Sequence, residues 1–346
     1  MARRILWGSL ALAPVTIVLH YGTDIGDVAE FVLASASLVP LAWLIGEATE
    51  HAGHHTGPGI GGFLNATFGN APELIIALLA VHEGLTEVVR GSLTGSVVGN
   101  LLLVLGFSLL FGGRGQLDRE SSLVSIGLVA FAVLVFLIPS IPGWSGNPER
   151  DLIVQISVPV SIALLLVYIA VTWISLRRHH RLHIADEPPE MAGWSLGTAL
   201  AVLAVATVVT ALIAEIVVGS IETFADTAGL SEFFVAAVIV AIVGNAAEHG
   251  GAVVVAARGR IKLAAEIALA SSAQVAVFLV PAVTLLALLI DPLALSFREV
   301  EIAALAFGAV LTFALLVQGR SSRGRGVVLI AAYVAVAVAF FLVGER

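Results

Sequence analysis

"GNAPELIIALLAV" occupies residues 69–81 and sets Gly, Asn, Pro and a carboxylate at the head of an otherwise apolar run. The rest of the chain shows how costly Glu73 is at that place. Hydrophobic residues make up 59% of the 346 positions and charged ones 12%, with a mean hydropathy of +1.03. A soluble domain has roughly 45–50% apolar residues and about a quarter charged. The apolar residues here come in stretches of about twenty or more between short polar breaks, the pattern of repeated membrane crossing. The chain therefore reads as an all-α polytopic membrane protein in contact with lipid. The formal charge of −8 gives no reason to expect a nucleic-acid partner, because the charges fall in loops or at isolated intramembrane positions. Cysteine is absent, so disulfides and thiolate metal sites are excluded.

Working outward from the motif, eleven spans fit, at about 4–20, 28–52, 59–81, 88–111, 122–139, 151–176, 194–221, 230–256, 261–290, 298–317 and 326–343. The first, with Arg3 and Arg4 before an apolar run to Leu19, resembles a signal peptide with Ala11-Leu12-Ala13 as its cleavage site. Pro14 follows directly, and a retained helix is the expectation. The longest polar break, "RRHHRLHIADEPPEMAG" (177–193), contains Pro188-Pro189 and reads as a linker. The expected organisation is an extra helix (1–27), a first five-helix repeat (28–176), the linker (177–193) and a second five-helix repeat (194–346). With a cytoplasmic N-terminus, 13 of the 17 Lys and Arg residues lie inside, leaving Arg90, Arg150, Arg298 and Arg346 outside. That bias predicts N-in, C-out topology and a cytoplasmic linker, in a prokaryotic inner (plasma) membrane. A homo-oligomer stays open.

Sliding the chain against itself by 175 residues brings "GNAPE" (69–73) onto "GNAAE" (244–248). The register holds without a gap, with Gly84 on Gly259, Ser96 on Ser271, and Gly95–Leu105 on "ASSAQVAVFLV" (270–280). Sustained register through a loop into the next helix marks an internal repeat. Five spans per half is an odd number, so the two copies face opposite ways. Inverted repeats whose interrupted helices meet at the bilayer midplane are the architecture of secondary transporters. Pro72 lacks an N–H and disfavours helical geometry at Ala71; in the second copy Gly244-Asn245 supplies the break alone.

An ionisable residue inside a span costs several kcal/mol unless paired, and so points to function. Close packing at Gly and Asn is the plainer reading of one motif, but two symmetry-related motifs that each end in Glu weaken it. Brought together, Glu73 and Glu248 make an acidic site that Asn70, Asn245 and freed carbonyls complete. Such oxygens suit Ca²⁺, which takes six to eight in flexible geometry. Two carboxylates in low dielectric resist joint ionisation, so protons and a divalent cation compete for them. Exchange of Ca²⁺ for H⁺ follows, with no cofactor beyond the transported ions.

Other polar residues are weaker candidates. Ser96, Ser271, Ser272 and Gln274 follow the motifs at matched positions, although Gly95 and Gly99 form a small-xxx-small pattern that speaks for helix packing. His249 points to a different face from Glu248, and a satisfied packing histidine is favoured over a proton-linked role. "GEATEHAGHH" (46–55) brings Glu47, Glu50, His51, His54 and His55 together at helical spacing near the cytoplasmic side. It lacks the HExxH order of a zinc protease, and a solvated helix end is the plainer reading. In "AEIVVGSIE" (214–222), Glu215 and Glu222 fall at the end of span seven, near the outer face. Glu50 and Glu222 thus read as acids at opposite mouths.

These motifs resemble the cation/proton exchanger (CAX) family, within the Ca²⁺/cation antiporter superfamily. Its two repeats run near "GNATELIIA" and "GNAAEH", and here they stand as "GNAPELIIA" (69–77) and "GNAAEHGGAVVVA" (244–256). "GSVVGNLLLVLG" (95–106) and "SSAQVAVFLVP" (271–281) are also similar, and the likeness covers nearly the whole chain. The resemblance implies Ca²⁺/H⁺ antiport by alternating access, with Glu73 and Glu248 as central acids. It implies that Asn70, Asn245, Ser96 and Gln274 line the site and that Glu50 and Glu222 lie on the access paths. Two departures stand out. Pro72 replaces the usual Thr or Ala, and the linker keeps only Asp186, Glu187 and Glu190 of the acidic segment common in relatives. The rival readings are exchange of Na⁺, K⁺, Mn²⁺ or Mg²⁺ for protons on the same fold, an intramembrane metalloenzyme, and a passive channel.

Overall fold

The computed structural model describes residues 2–23, 25–144, 150–182 and 193–344. Two short helices, α1 (Ala2–Ser9) and α2 (Leu12–Gly22), stand where a single first span was expected. Pro14 has no N–H for the Leu10 carbonyl, so an uninterrupted helix through residues 10–14 would lose a rung; the chain instead restarts at Leu12 and keeps Pro14 in the first turn. Next comes α3 (Asp27–Phe68), which is not one straight rod. A β-carbon on Gly61 would stand 2.9 Å from the Gly53 Cα, whereas eight residues of straight helix separate two positions by about 12 Å. The chain doubles back between these glycines, which meet backbone to backbone. The helical path then breaks at Gly69-Asn70, and α4 (Ala71–His82) begins.

The next span is α5 (Thr86–Val98), a π-helical stretch (Gly99–Val104) and α6 (Leu105–Gly112). A two-residue strand β1 (Gly115–Gln116) leads to α7 (Arg119–Trp144) and α8 (Arg150–Leu182). The second half opens with α9 (Leu196–Ala228), started by Ser195, whose hydroxyl accepts the Thr198 N–H at 3.1 Å. The broken span follows: α10 (Glu232–Phe234), a π-helical stretch (Val235–Val240), α11 (Ala241–Gly244) and α12 (Ala246–Ala257). Then come α13 (Ile261–Gln274), a third π-helical stretch (Val275–Leu279), α14 (Val280–Ala287), α15 (Glu299–Leu316), strand β2 (Arg320–Ser321) and α16 (Arg323–Gly344).

Nine helices among the described residues are long and apolar enough to cross a bilayer, and the bent pair around Asn245 makes ten. The remaining expected crossing, 59–81, is the one divided at Gly69-Asn70. Several boundaries move. Residues 177–182 of the expected linker belong to α8, while residues 183–192, with Asp186, Glu187 and Glu190, lie outside the described residues. The span expected to end near 221 runs on to Ala228, and that expected to end near 290 stops at Ala287.

The 175-residue register is visible in local geometry. Gly84 and Gly259 both take left-handed φ, 74° and 83°. Each closes the preceding helix with the same pair of hydrogen bonds. Leu85 N donates to Ala80 O and Gly84 N to Val81 O; Arg260 N donates to Val255 O and Gly259 N to Ala256 O. The π-helical stretches after Val98 and Gln274 also coincide in that register. An ion pair follows the two starts next to these glycines, with its sign reversed. Lys262 Nζ meets Asp118 at 3.0 Å, and at the equivalent of Lys262, Glu87 meets Arg298 Nη2 at 3.1 Å. Here Glu301, fully buried, lies 2.7 Å from Arg298 Nε and 3.8 Å from Arg90 Nε.

Packing ranks the spans by depth. Eighty-three per cent of the apolar window in Thr86–Gly112 is buried, against 11% in Ile5–Gly22, so α5–α6 run through the centre and α2 along the rim. At the centre, α5 crosses the Val235–Val240 stretch so closely that a β-carbon on Gly95 would lie 2.0 Å from the Ala237 carbonyl oxygen. The close pair is Gly91 and Gly95, not Gly95 and Gly99, because nothing stands within 4 Å of where a Gly99 β-carbon would be.

Candidate cation site

The two helix breaks share one geometry. Asn70 sits at φ −102°, ψ 16° and Asn245 at φ −91°, ψ 6°, each just before a new helix. Across the second break the axis bends by 59°. Pro72 falls in the first turn of α4, where its missing N–H would have had no intrahelical partner. The break is thus made by Gly69-Asn70, as Gly244-Asn245 makes its twin, and Pro72 is a residue this position tolerates.

Each break delivers a carboxylate to the middle of the molecule. Glu73 is buried, and neither of its oxygens meets a hydrogen-bond partner among the described residues. It packs across the repeat interface on the other motif: a β-carbon on Gly244 would stand 3.4 Å from Glu73 Oε1. Glu248 is half-buried, lies within electrostatic reach of Glu73, and accepts a hydrogen bond from Ser271 Oγ at 2.5 Å. Neither glutamate has an arginine or lysine partner among the described residues, so the repulsion between them is not offset by a fixed cation.

Polar side chains from both halves surround this pair. Asn245 Nδ2 donates to Ser96 Oγ at 2.9 Å and to Ala241 O at 3.0 Å. Ser96 therefore reaches the opposite repeat, and its equivalent Ser271 also serves Glu248 within its own. Asn70 is buried beside Glu73 in sequence. Ser272 is fully buried, but it is spent on the Ala268 carbonyl at 3.1 Å and the Val97 carbonyl at 3.4 Å, which makes it a packing residue. Gln274 is half-buried at the last turn of α13, where the π-helical stretch begins.

One residue of the centre escaped the sequence reading. Asn100 Nδ2 donates to Ser271 Oγ at 3.1 Å, the atom that in turn donates to Glu248, and Asn100 Oδ1 is buried without a partner among the described residues. A mid-span Asn was signal enough, but its repeat equivalent is Val275, so a search for matched pairs passes over it. His249 also differs from expectation. Its Nε2 is enclosed with no hydrogen-bond partner among the described residues, unlike a satisfied packing histidine.

The expected access residues are distributed as follows. Glu50 is exposed and pairs loosely with His54 at 3.9 Å. Glu47 lies 3.7 Å from His51, whose ring stacks on Trp194 at 4.7 Å, while His55 Nε2 meets the Trp194 carbonyl at 2.8 Å. The 46–55 cluster thus docks onto the start of the second half. No group of three or more His, Asp or Glu among the described residues converges to hold a metal ion. Glu222 is exposed, with Glu232 near enough to feel its charge and those of Glu87 and Asp226. Glu215 is exposed near the middle of α9 instead of at its outer end, because that helix runs seven residues past 221.

The family model for sodium/calcium exchanger proteins matches residues 28–177 and 198–342. The chain is 39% identical over 324 residues to the Ca²⁺/H⁺ antiporter ChaA of Bacillus subtilis (strain 168), covering 90% of this chain and 92% of that protein. It is 34% identical over 356 residues to a Ca²⁺/H⁺ antiporter of Synechocystis, covering 96% and 95%. The solved structure of native YfkE superposes with a TM-score of 0.84 at 34% identity, covering 97% of this chain and 99% of that one. The H⁺/Ca²⁺ exchanger CAX shares the fold at a TM-score of 0.75 and 14% identity, covering 99% and 93%.

Proposed function

The chain belongs to the sodium/calcium exchanger protein family, and we propose that it exchanges Ca²⁺ for H⁺ across the membrane, Glu73 and Glu248 carrying either load in turn. One observation carries this reading beyond family membership: Glu73 is a buried carboxylate without a partner, seated on the glycine of the opposite motif and facing a second carboxylate. Leaving both acids charged at this depth is too costly to persist. Protons neutralise the pair, and so does a divalent cation. Asn70, Asn245, Ser96, Ser271 and Asn100 supply neutral oxygens around it, Gln274 borders it, and the hard ligand set favours Ca²⁺.

Coupling follows from that electrostatics. The loaded pair, protonated or cation-bound, crosses between inward-open and outward-open arrangements, whereas the empty pair does not, so neither ion moves alone. Residues 28–176 and 194–346 act as the two inverted halves, residues 1–27 as an added helix, and 177–193 as the cytoplasmic connection. The N-terminus is cytoplasmic and the C-terminus outside. Glu50 draws cations to the inner mouth and Glu222 to the outer one; Glu47 and Glu215 lie along these paths, and His249 adjoins the site as a proton-linked group.

The test is cation-driven proton movement in everted vesicles, screening Ca²⁺, Mn²⁺, Mg²⁺, Na⁺ and K⁺. Ca²⁺ should release vesicle protons, and Glu73→Gln and Glu248→Gln should each abolish that response. Exchange that survives in both variants overturns the assignment of the carboxylates; a response to the other cations alone overturns the substrate.

A further inference from the structure

A cleft of about 600 Å³ opens between the end of α6 and the start of α16, lined by Gly112, Gly113, Arg114, Ser322, Arg323 and Gly324. Local geometry fixes its walls. Strands β1 and β2 pair Gly115 with Ser321 and Gln116 with Arg320. Ser321 Oγ donates to the Gly113 carbonyl at 2.8 Å and lies 3.2 Å from that of Gly115. Three of the glycines are demanded by the fold. A β-carbon on Gly112 or Gly115 would come within 2.7 or 2.6 Å of Ile261, and Gly113 holds a left-handed φ of 70°. Gly324 is different: nothing lies within 4 Å of where its β-carbon would stand, so it fronts the open cleft.

The charges around the cleft fall into two groups. Lys262 is paired with Asp118, Arg119 Nε donates to the Val317 carbonyl, and Arg325 donates to the Arg320 carbonyl and to Gln318. Arg114 and Arg323 have no ion pair or side-chain hydrogen bond among the described residues, and no carboxylate lines the cleft. Two exposed arginines thus line one open cleft with no carboxylate among its lining residues, so their charges favour an anion there. Guanidinium forks match phosphate oxygens in a bidentate manner.

We infer that this cleft binds a phosphate group between Arg114 and Arg323. Its source is the headgroup of an anionic lipid or a free phosphate. The lipid is within reach, because α6 and α16 are membrane spans that end at the cleft, on the face that carries most of the chain's Lys and Arg. An occupied cleft would tie these two helices together at their ends. They already touch further in, where a β-carbon on Gly326 would lie 2.6 Å from the Gly106 carbonyl oxygen. The inference concerns a site remote from Glu73 and Glu248 and stands independently of the transport reading.

The experiment is binding of acyl-chain-labelled phosphatidylglycerol to the purified full-length chain in neutral detergent. Inorganic phosphate and phosphatidylcholine serve as competitors. The double variant Arg114→Gln/Arg323→Gln should weaken binding on the order of a hundredfold, the loss of two charged hydrogen-bonding partners. Gly324→Phe, whose β-carbon meets nothing within 4 Å, places a ring at the cleft and should weaken it comparably while leaving both arginines. Arg258→Gln/Arg260→Gln, on the same face but outside the cleft, should bind as the parent does. Competition by inorganic phosphate at the concentration of the lipid assigns the site to free phosphate; its failure, with phosphatidylcholine also failing, assigns it to an anionic lipid. Binding unchanged in both the double variant and Gly324→Phe, or no saturable binding by the parent, overturns the inference.

Discussion

Replacing Gly95 by alanine puts a methyl group into the closest helix crossing of the molecule. The new β-carbon would lie 2.0 Å from the Ala237 carbonyl oxygen and 2.7 and 2.8 Å from the adjoining carbon atoms. All three are backbone atoms, so no side chain can rotate away, and the helices must part by about 1 Å or more to restore van der Waals separation. Overpacking of this kind costs about 1–3 kcal/mol, and the rigid surroundings place Gly95→Ala at the upper end. Helix propensity returns about 1 kcal/mol at most, leaving a net loss of about 2 kcal/mol. The same displacement stretches the hydrogen bond from Asn245 to Ser96, 2.9 Å long and one residue away. Gly99→Ala is the internal control, since nothing meets its β-carbon within 4 Å. Thermal unfolding in detergent should show a lowered midpoint for Gly95→Ala and none for Gly99→Ala, and Ca²⁺-driven proton movement in vesicles should fall only in the former. A Gly95→Ala protein as stable and active as the parent, or a Gly99→Ala protein equally impaired, would refute the reasoning.

Glu301→Gln removes one of the two carboxylates that hold Arg90 and Arg298; Glu87 still pairs with both, so the cost should be about 1.5–3 kcal/mol of stability, that of a charged hydrogen bond; the exposed Glu299→Gln should melt as the parent does. Asn100→Leu leaves Ser271 without its donor and should raise the Ca²⁺ KM by about tenfold, so an unchanged KM counts against a role for Asn100. The Ser121 N–H and then Lys262 hold the Asp118 carboxyl below the usual carboxylate range. A lowered folded-state value means that this contribution is complete above about pH 4 and is lost as pH falls through the lowered value. Asp118→Asn should therefore lower the neutral plateau slightly, meet the parent in acid and so flatten the acid limb of the stability curve; an unaltered acid limb would show that the contact contributes nothing.

The sequence by itself determined the class and the repeat, and it pointed to the two glutamates. Each of these is written in local chemistry. Long apolar runs have no stable home but a bilayer, and a carboxylate inside one needs a reason that a second copy 175 residues away supplies. Glycines such as Gly84 and Gly259 announce their helix ends because few other residues adopt left-handed φ. Tertiary structure decided what depends on facing elements. Gly95, not Gly99, meets a neighbouring backbone, and Asn100 enters the site although the repeat offers no twin for it. Ser96 meets Asn245 while Ser271 meets Asn100 and Glu248, so equivalent residues have different partners. Glu215 moves to mid-span because α9 continues to Ala228, where Gly229 closes it at a left-handed φ of 66°. Pro72 reads from sequence as a breaker. Only its place in the first turn of α4 shows that it leaves no needed hydrogen bond unmade. Periodicity fixes what each residue must avoid, and the facing helix fixes what it touches.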